Sequence, residues 1–219
     1  MRKLLQRPLL AIFDWNGTLL NDLPVVYGSV VEIFKRHRLP APSLETYRAE
    51  ITTDFMKFYH AHGIPTAATA QQLNAIRKEY LTLHAAEARL HDNAQNLILL
   101  CRALGMQTAI VSGEMEEVLE KRLNDFGLTP FIDRVFGSAY DKENKLIEAL
   151  DHFGVQAERA FYLDDTFDGL MAAQQVGIIT FGFCGGYGTR EHIRAANPDF
   201  PDLDNHGAVG EILVCGVAR

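Results

Sequence analysis

Asp14, Trp15 and Asn16 follow the apolar run Leu9-Leu10-Ala11-Ile12-Phe13, and a turn-forming Gly17 comes next. Ser112 and Gly113 close a second apolar run, and Asp164 and Asp165 close a third. Lys142 opens a helix-like segment after the run "RVFGSA". Gathered in one place, these residues would supply three carboxylates, one hydroxyl and one ammonium. Clustered carboxylates repel and raise one another's pKa. A hard divalent ion, most simply Mg2+, resolves that conflict and suits oxygen ligands. Asn16 is the odd member of the set. It stands two positions after a candidate nucleophile, yet an amide exchanges no proton near neutral pH.

Gathering the set requires particular elements. Residues 9–13 have the composition of a short strand buried on both faces, as in parallel sheets. From Leu23 to about His91 no strand pattern appears. "DLPVVYGSVVEIFKRHR" spaces Val25, Val26, Val30, Ile33 and Phe34 for a helix, with Asp22 as its N-cap. "SLETYRAEITTDFMKFYHAHG" continues helically from Ser43 to Gly63, and residues 66–90 form a long Ala- and Leu-rich helix. After Asp92, helix and strand alternate, with helices stopping at Gly105, Gly127, Gly154 and Gly177. That alternation predicts an α/β fold with a doubly wound parallel sheet. Residues 1–20 and 92–219 then form the core, and 21–91 a helical insertion. In such sheets ligands bind beyond the carboxyl ends of the strands, where the polar residues above fall.

The bulk properties narrow the class. The 219 residues are 47% hydrophobic and 22% charged, as in a globular protein, with a net charge of −7. No basic footprint for nucleic acid or an anionic membrane is present. Three widely spaced cysteines, Cys101, Cys184 and Cys215, make neither a zinc pattern nor a disulfide framework. No stretch reaches the 18 apolar residues of a membrane span. The N-terminal "MRKLLQRPLLAIFDW" is interrupted by Arg7 and Pro8, so it is taken as the approach to a strand and not as a signal peptide. A cytoplasmic enzyme, monomeric or homodimeric, is the expectation.

The set resembles the motifs of the haloacid dehalogenase-like (HAD) hydrolase superfamily, in order and over nearly the whole chain. "FDWNGTLL" is similar to its first motif, a strand ending in Asp-x-Asp-Gly-Thr. "AIVSG" is similar to the second, Lys142 to the third, and "FYLDDTFDGLMAAQQVG" to the fourth. The resemblance implies a Rossmann-like core with a helical cap inserted between the first and second motifs. It implies a phosphoglycolate-phosphatase-like enzyme acting on a small phosphorylated substrate. Asp14 would be the nucleophile and a Mg2+ ligand, forming an aspartyl phosphate. The backbone carbonyl of Asn16 and the Asp165 carboxylate would complete the metal site. Ser112, Gly113, Lys142 and Trp15 would contact the substrate, with Lys142 balancing charge. Lys145, one helical turn on, competes for the lysine role. Asp164 sits where the family often has Gly, Gly169 where it often has Asp, and Asp168 one residue before that.

Each residue also has an ordinary structural explanation. Ser112 could cap a helix at Glu114, Asp164 and Asp165 could be a solvated strand end, and Lys142 a surface charge. Lys57, His60 and His62 read as a solvated helix face, and Trp15 as a packing residue at the junction of cap and core. Asn16 departs from the superfamily pattern, in which the second Asp is the general acid and base, worth about 10²–10⁴-fold. Its replacement implies a substrate with a good leaving group, a substitute such as Glu114 or His60, or different chemistry. Phosphonoacetaldehyde hydrolases, which cleave a carbon–phosphorus bond through a cap lysine, have a similar start, and Lys57 would then be that lysine. A phospho-ligand-binding protein that has lost turnover is a further alternative.

Overall fold

The computed structural model describes residues 8–51 and 55–217. The expected approach of residues 1–7 to the first strand lies outside them. The chain divides into two compact units, one of residues 1–20 with 90–219, the other of residues 21–89. The second crossing thus falls between Arg89 and Leu90, two residues before the boundary expected from the sequence.

In chain order the strands are β1 Leu10–Phe13, β2 Leu20–Asn21, β3 Arg89–Leu90, β4 Gln107–Val111, β5 Arg134–Phe136, β6 Ala160–Asp164, β7 Ile179–Phe183 and β8 Phe200–Leu203. The α-helices are α1 Leu23–Arg36, α2 Leu44–Glu50, α3 Phe55–Ala61, α4 Ala70–His84, α5 Ala94–Ala103, α6 Glu116–Asp125, α7 Lys142–Phe153, α8 Phe167–Val176, α9 Arg190–Ala195 and α10 His206–Val217. Six strands form one sheet in the order β5-β4-β1-β6-β7-β8. Every neighbouring pair in it is parallel. The short β2 and β3 pair separately. This is the predicted α/β fold.

Apolar alternation explains the sheet's packing. Leu10, Ile12, Ala109, Val111 and Tyr162 join a cluster with Leu146, Ala149 and Leu150 of α7 and Ala173 of α8. Phe13, whose side chain leaves the opposite face of β1, meets Phe161 edge-on at 5.8 Å. Phe161 meets Phe181 at 5.2 Å, and Phe181 stacks on Phe200 at 4.5 Å. The stop signals at Gly105, Gly127, Gly154 and Gly177 all adopt positive φ, as their helix ends require.

The unit of residues 21–89 is built from α1 to α4 around Phe34, Phe58 and Tyr59. The ring of Phe58 contacts those of Phe34, Tyr47 and Tyr59. Asp22 takes the expected N-cap position of α1, where its side chain makes no capping bond and Pro in the first turn removes a donor. The helical stretch from Ser43 is not continuous: Ser43 caps α2, which ends at Glu50, and Ile51 is extended. Residues 52–54 of the expected stretch lie outside the described residues. The long helix ends at His84, followed by a 3-10 turn at Ala85–Glu87. Arg89 ties off that end by donating to the carbonyls of Ala86 and Ala88.

Candidate active site

β1 and β4 leave the sheet side by side, because Phe13 pairs with Ile110. Asp14 and Ser112 therefore emerge on adjacent strands. On the other side of β1, Phe13 pairs with Leu163, so Asp14 also neighbours Asp164. The chain goes from β1 to β4 and β5 on one side, then crosses to β6 on the other. That reversal of strand order opens the crevice at which α/β sheets bind ligands.

Asp14, Asp164 and Asp165 are buried together, with one oxygen of each within 4.8 Å of the others. Lys142, the first residue of α7, bridges two of them: Nζ donates to Asp14 Oδ1 at 2.8 Å and to Asp164 Oδ2 at 2.6 Å. Lys145 instead reaches Glu148 at 2.7 Å. Asp164 Oδ1 accepts from the backbone and the hydroxyl of Thr166, at 2.7 and 2.6 Å. Asp165 is gripped from two loops. Thr18 Oγ1 donates to its Oδ1 at 2.6 Å, and the Tyr187 backbone N–H donates to its Oδ2 at 2.5 Å.

Burial raises the Asp14 carboxyl to about 7, against the lowering influence of Lys142 and with a further push from Asp164. Burial, Asp164 and Asp14 raise Asp165 well above the ordinary carboxylate range. Burial opposes the Lys142 charge, but Asp14 and Asp164 hold its pKa well above normal. One ammonium does not balance three buried carboxylates. The surplus negative charge and the all-oxygen donor set fit a hard divalent cation.

Gly17, Gly169 and Gly186 are needed because carboxylates occupy the space beside them. A Cβ at Gly17, whose φ is +79°, would fall 2.4 Å from both Asp165 Oδ2 and Tyr187 Cδ2. A Cβ at Gly169 would fall 2.0 Å from Asp164 Oδ2. Thus the Asp164 carboxylate fills the volume beside residue 169, while Asp168 is exposed. Gly169→Ala must displace that carboxylate, and we expect it to lower stability by about 1–3 kcal/mol. In an Asp164→Gly background the same alanine should cost far less. Chemical denaturation of the four proteins measures the coupling, and additive effects would refute the shared volume.

The other expected site residues are placed as follows. Ser112 is buried, and its Oγ accepts from the Glu114 N–H at 3.3 Å, which leaves its hydroxyl proton available. Ser112 does not cap α6, whose N-cap is Met115. Gly113 faces open space. Asn16 is half-buried and bridges to Leu20. Trp15, expected as a substrate contact and as a packing residue, is 1% exposed and tilts against Phe126 at 6.3 Å. In the helical unit His60 bonds the Ile64 carbonyl, His62 pairs with Glu50, and Lys57 is exposed. Sequence reasoning missed Thr18 and the Tyr187 amide. Thr18 lies within the first motif, and Tyr187 within the Gly-rich segment "CGGYGT" that follows β7.

The acidic cluster lies at the switch point of an α/β sheet, and the resemblance of the chain to known proteins gives its class. Residues 11–183 match the model of the haloacid dehalogenase-like hydrolase family. The chain belongs to that family and is a hydrolase. It is 22% identical over 193 residues to a 5'-nucleotidase of Pseudomonas aeruginosa, covering 85% of this chain and 87% of the relative. It is 24% identical over 188 residues to a phosphoglycolate phosphatase of Xanthomonas campestris, covering 82% and 85%. The fold superposes on CbbY from Rhodobacter sphaeroides in complex with phosphate, with a TM-score of 0.70 at 21% identity over 93% and 96% of the two chains. No helix among the described residues is long and apolar enough to cross a membrane.

Proposed function

We propose that the protein is a Mg2+-dependent phosphatase of the phosphoglycolate-phosphatase-like branch, hydrolysing a small phosphorylated metabolite through an aspartyl phosphate on Asp14. The observation that carries this reading is the buried cluster of Asp14, Asp164 and Asp165 bridged by Lys142. The curated relatives named above act on phosphate esters by name, which supports the substrate class. Residues 21–89 serve as the helical cap in this reading.

The residues divide the work as follows. Asp14, Asp164, Asp165 and the Asn16 carbonyl hold the cation, which neutralises carboxylate and phosphoryl charge. Asp14 attacks phosphorus, and the bond from phosphorus to the substrate oxygen breaks. Lys142 stays charged and steadies the transferring group, and the Ser112 hydroxyl donates to a phosphoryl oxygen. Water then attacks the phosphoryl group, Asp14 is released and inorganic phosphate leaves. Asn16 supplies no proton to the departing oxygen. The site is therefore suited to leaving groups that depart as anions, such as acyl phosphates or aryl esters. The carbon–phosphorus alternative draws no support from Lys57, because a Schiff-base lysine is activated by desolvation and this one is exposed.

A panel of phosphate esters, assayed with and without Mg2+, tests the reading. Absence of Mg2+-dependent phosphate release across acyl, aryl and alkyl esters would reject it in favour of a phospho-ligand-binding protein.

The metal assignment has a pH signature. A carboxyl raised on folding, as Asp14 is from 3.8 to about 7, binds more protons folded than unfolded between those values. Its contribution to metal-free stability is fullest at low pH and is lost as pH rises through about 7. Mg2+ binding needs the ionised form and so competes with protons. We expect the Mg2+-induced rise in Tm to be small near pH 5 and to grow as pH rises through about 7. Thermal unfolding at fixed Mg2+ across that range measures it, and a pH-independent increment would refute the role of Asp14.

A further inference from the structure

The turn after β1 is closed by its own backbone. The amides of Leu19 and Leu20 both donate to the Trp15 carbonyl, at 3.0 and 2.8 Å, and Gly17 N–H donates to the Leu20 carbonyl at 2.9 Å. These bonds do not engage the carbonyls of Gly17 and Leu19. Both are taken by one residue, His91, 74 positions further along for Gly17. Its backbone N–H donates to Leu19 O at 2.9 Å, and its ring Nε2 lies 3.0 Å from Gly17 O.

We propose that His91 is a positioning residue for the turn that carries Asn16, acting as an Nε2–H donor to the Gly17 carbonyl. Its consequence for turnover rests on the phosphatase reading above, whereas the hydrogen bond itself does not.

Gly17 has φ of +79° and no side chain, so by itself it is the softest joint of the turn. Its φ and ψ link the peptide bearing the Asn16 carbonyl to the peptide bearing the Gly17 carbonyl. The second of those peptides is held at its Thr18 end, because Thr18 Oγ1 is bonded to Asp165. His91 holds the carbonyl end. With both ends fixed, the Asn16 carbonyl is aimed as firmly as Asp14 and Asp165 are. Loss of the His91 bond removes the restraint at the carbonyl end of that peptide and loosens the aim of the Asn16 carbonyl, whose own peptide is also held by the Gly17 N–H bond to Leu20 O.

The imidazole is braced for this task. It meets Phe183, the last residue of β7, edge-on at 4.9 Å and 78°, and lies 5.8 Å from the ring of His206. His206 packs against the same Phe183 at 4.6 Å and is 1% exposed. The partner of Nε2 is a carbonyl, which only accepts, so Nε2 must carry the proton. Burial lowers the pKa of His91 and pushes that of His206 down to about 4, so neither ring is charged at neutral pH.

Two measurements decide the proposal. Long-range proton–nitrogen NMR of the metal-free protein at neutral pH should find His91 as the neutral Nε2–H tautomer. The Nδ1–H tautomer would overturn the proposal whatever the protein's activity. The second compares His91→Leu, which removes the donor, with His91→Gln, which keeps an N–H at similar reach. Against 4-nitrophenyl phosphate, His91→Leu should lower kcat roughly 10-fold with little change in KM. It should also raise the Mg2+ concentration needed for half-maximal thermal stabilisation, and His91→Gln should recover most of both. Parent-like kcat and Mg2+ response in His91→Leu would overturn the proposal, as would failure of His91→Gln to recover either. Should His91→Leu not fold, the tautomer and His91→Gln still decide. A parent protein without turnover would sink the phosphatase reading and leave the tautomer and the Mg2+ response to judge His91.

Discussion

Asn16→Asp should raise the turnover of phosphate esters with poor leaving groups by up to about 10²–10⁴-fold. The residue is half-buried, two positions beyond Asp14, in a turn whose backbone is fixed by Trp15, Leu20 and His91. An aspartate there would supply the proton that an alkoxide needs to depart, then take one from the attacking water. The gain should shrink towards nothing for acyl phosphates and aryl esters with acidic leaving groups. A plot of log kcat against leaving-group pKa should therefore be steep for the parent and flatter for the variant. Equal slopes would mean that residue 16 does not meet the leaving oxygen. A loss of activity on every ester would mean that added negative charge beside Asp14 and Asp165 outweighs proton transfer. Asn16-Gly17 is a deamidation-prone pair, but in the fold the Gly17 N–H that would attack is bonded to Leu20 O at 2.9 Å. Folded protein should keep the amide. Mass spectrometry of the peptide spanning Asn16 checks this before any rate is compared.

Asp14→Asn should lower turnover by at least on the order of 10⁴-fold, as expected for loss of a covalent nucleophile. The parent treated with beryllium fluoride and Mg2+ should form an adduct at Asp14, and the variant should form none. The same substitution should leave metal-free stability at about pH 8 equal to or above that of the parent. Burial and Asp164 make the ionised Asp14 unfavourable in the folded protein, so a neutral amide relieves a strained site. Lys142 keeps its second partner, Asp164, at 2.6 Å. The pairing of lost activity with retained or higher stability separates a reacting group from a structural one. A variant that both unfolds more easily and keeps measurable turnover would show Asp14 to be a structural carboxylate.

Much of the core was legible because its signals are local. Leu10 to Phe13 are all fully buried in β1, as the apolar run before Asp14 predicts, but Leu9, the first residue of the expected strand at 9–13, lies before β1 and is exposed. Glycine-marked helix stops at Gly105, Gly127, Gly154 and Gly177 follow from backbone sterics alone. The C-terminal elements gave no such signal. β8 contains a proline and a positive-φ Asp202, so it lacks the pattern of a strand. α10 carries three glycines, which weaken its helical signature.

Within the site, the division runs between order along the chain and direction in space. The amino-acid sequence by itself determined which strand ends carry Asp14, Ser112, Asp164 and Asp165, and that a lysine near position 142 follows. It also determined that residue 16 is an amide. Lys142 and Lys145 lie three apart and so share one side of α7, and the spacing to the Asp164-Asp165 pair favours Lys142. The direction of its side chain is a tertiary matter: Lys142 Nζ reaches Asp14 and Asp164, whereas Lys145 reaches Glu148. Likewise only the tertiary structure shows that the Asp164 carboxylate fills the volume beside Gly169 while Asp168 is exposed. Thr18, the Tyr187 amide and His91 hold their partners across separations of 147, 22 and 74 residues. A hydrogen bond of that span leaves no periodic trace in a sequence, because it depends on where two turns meet and not on what either turn prefers to be.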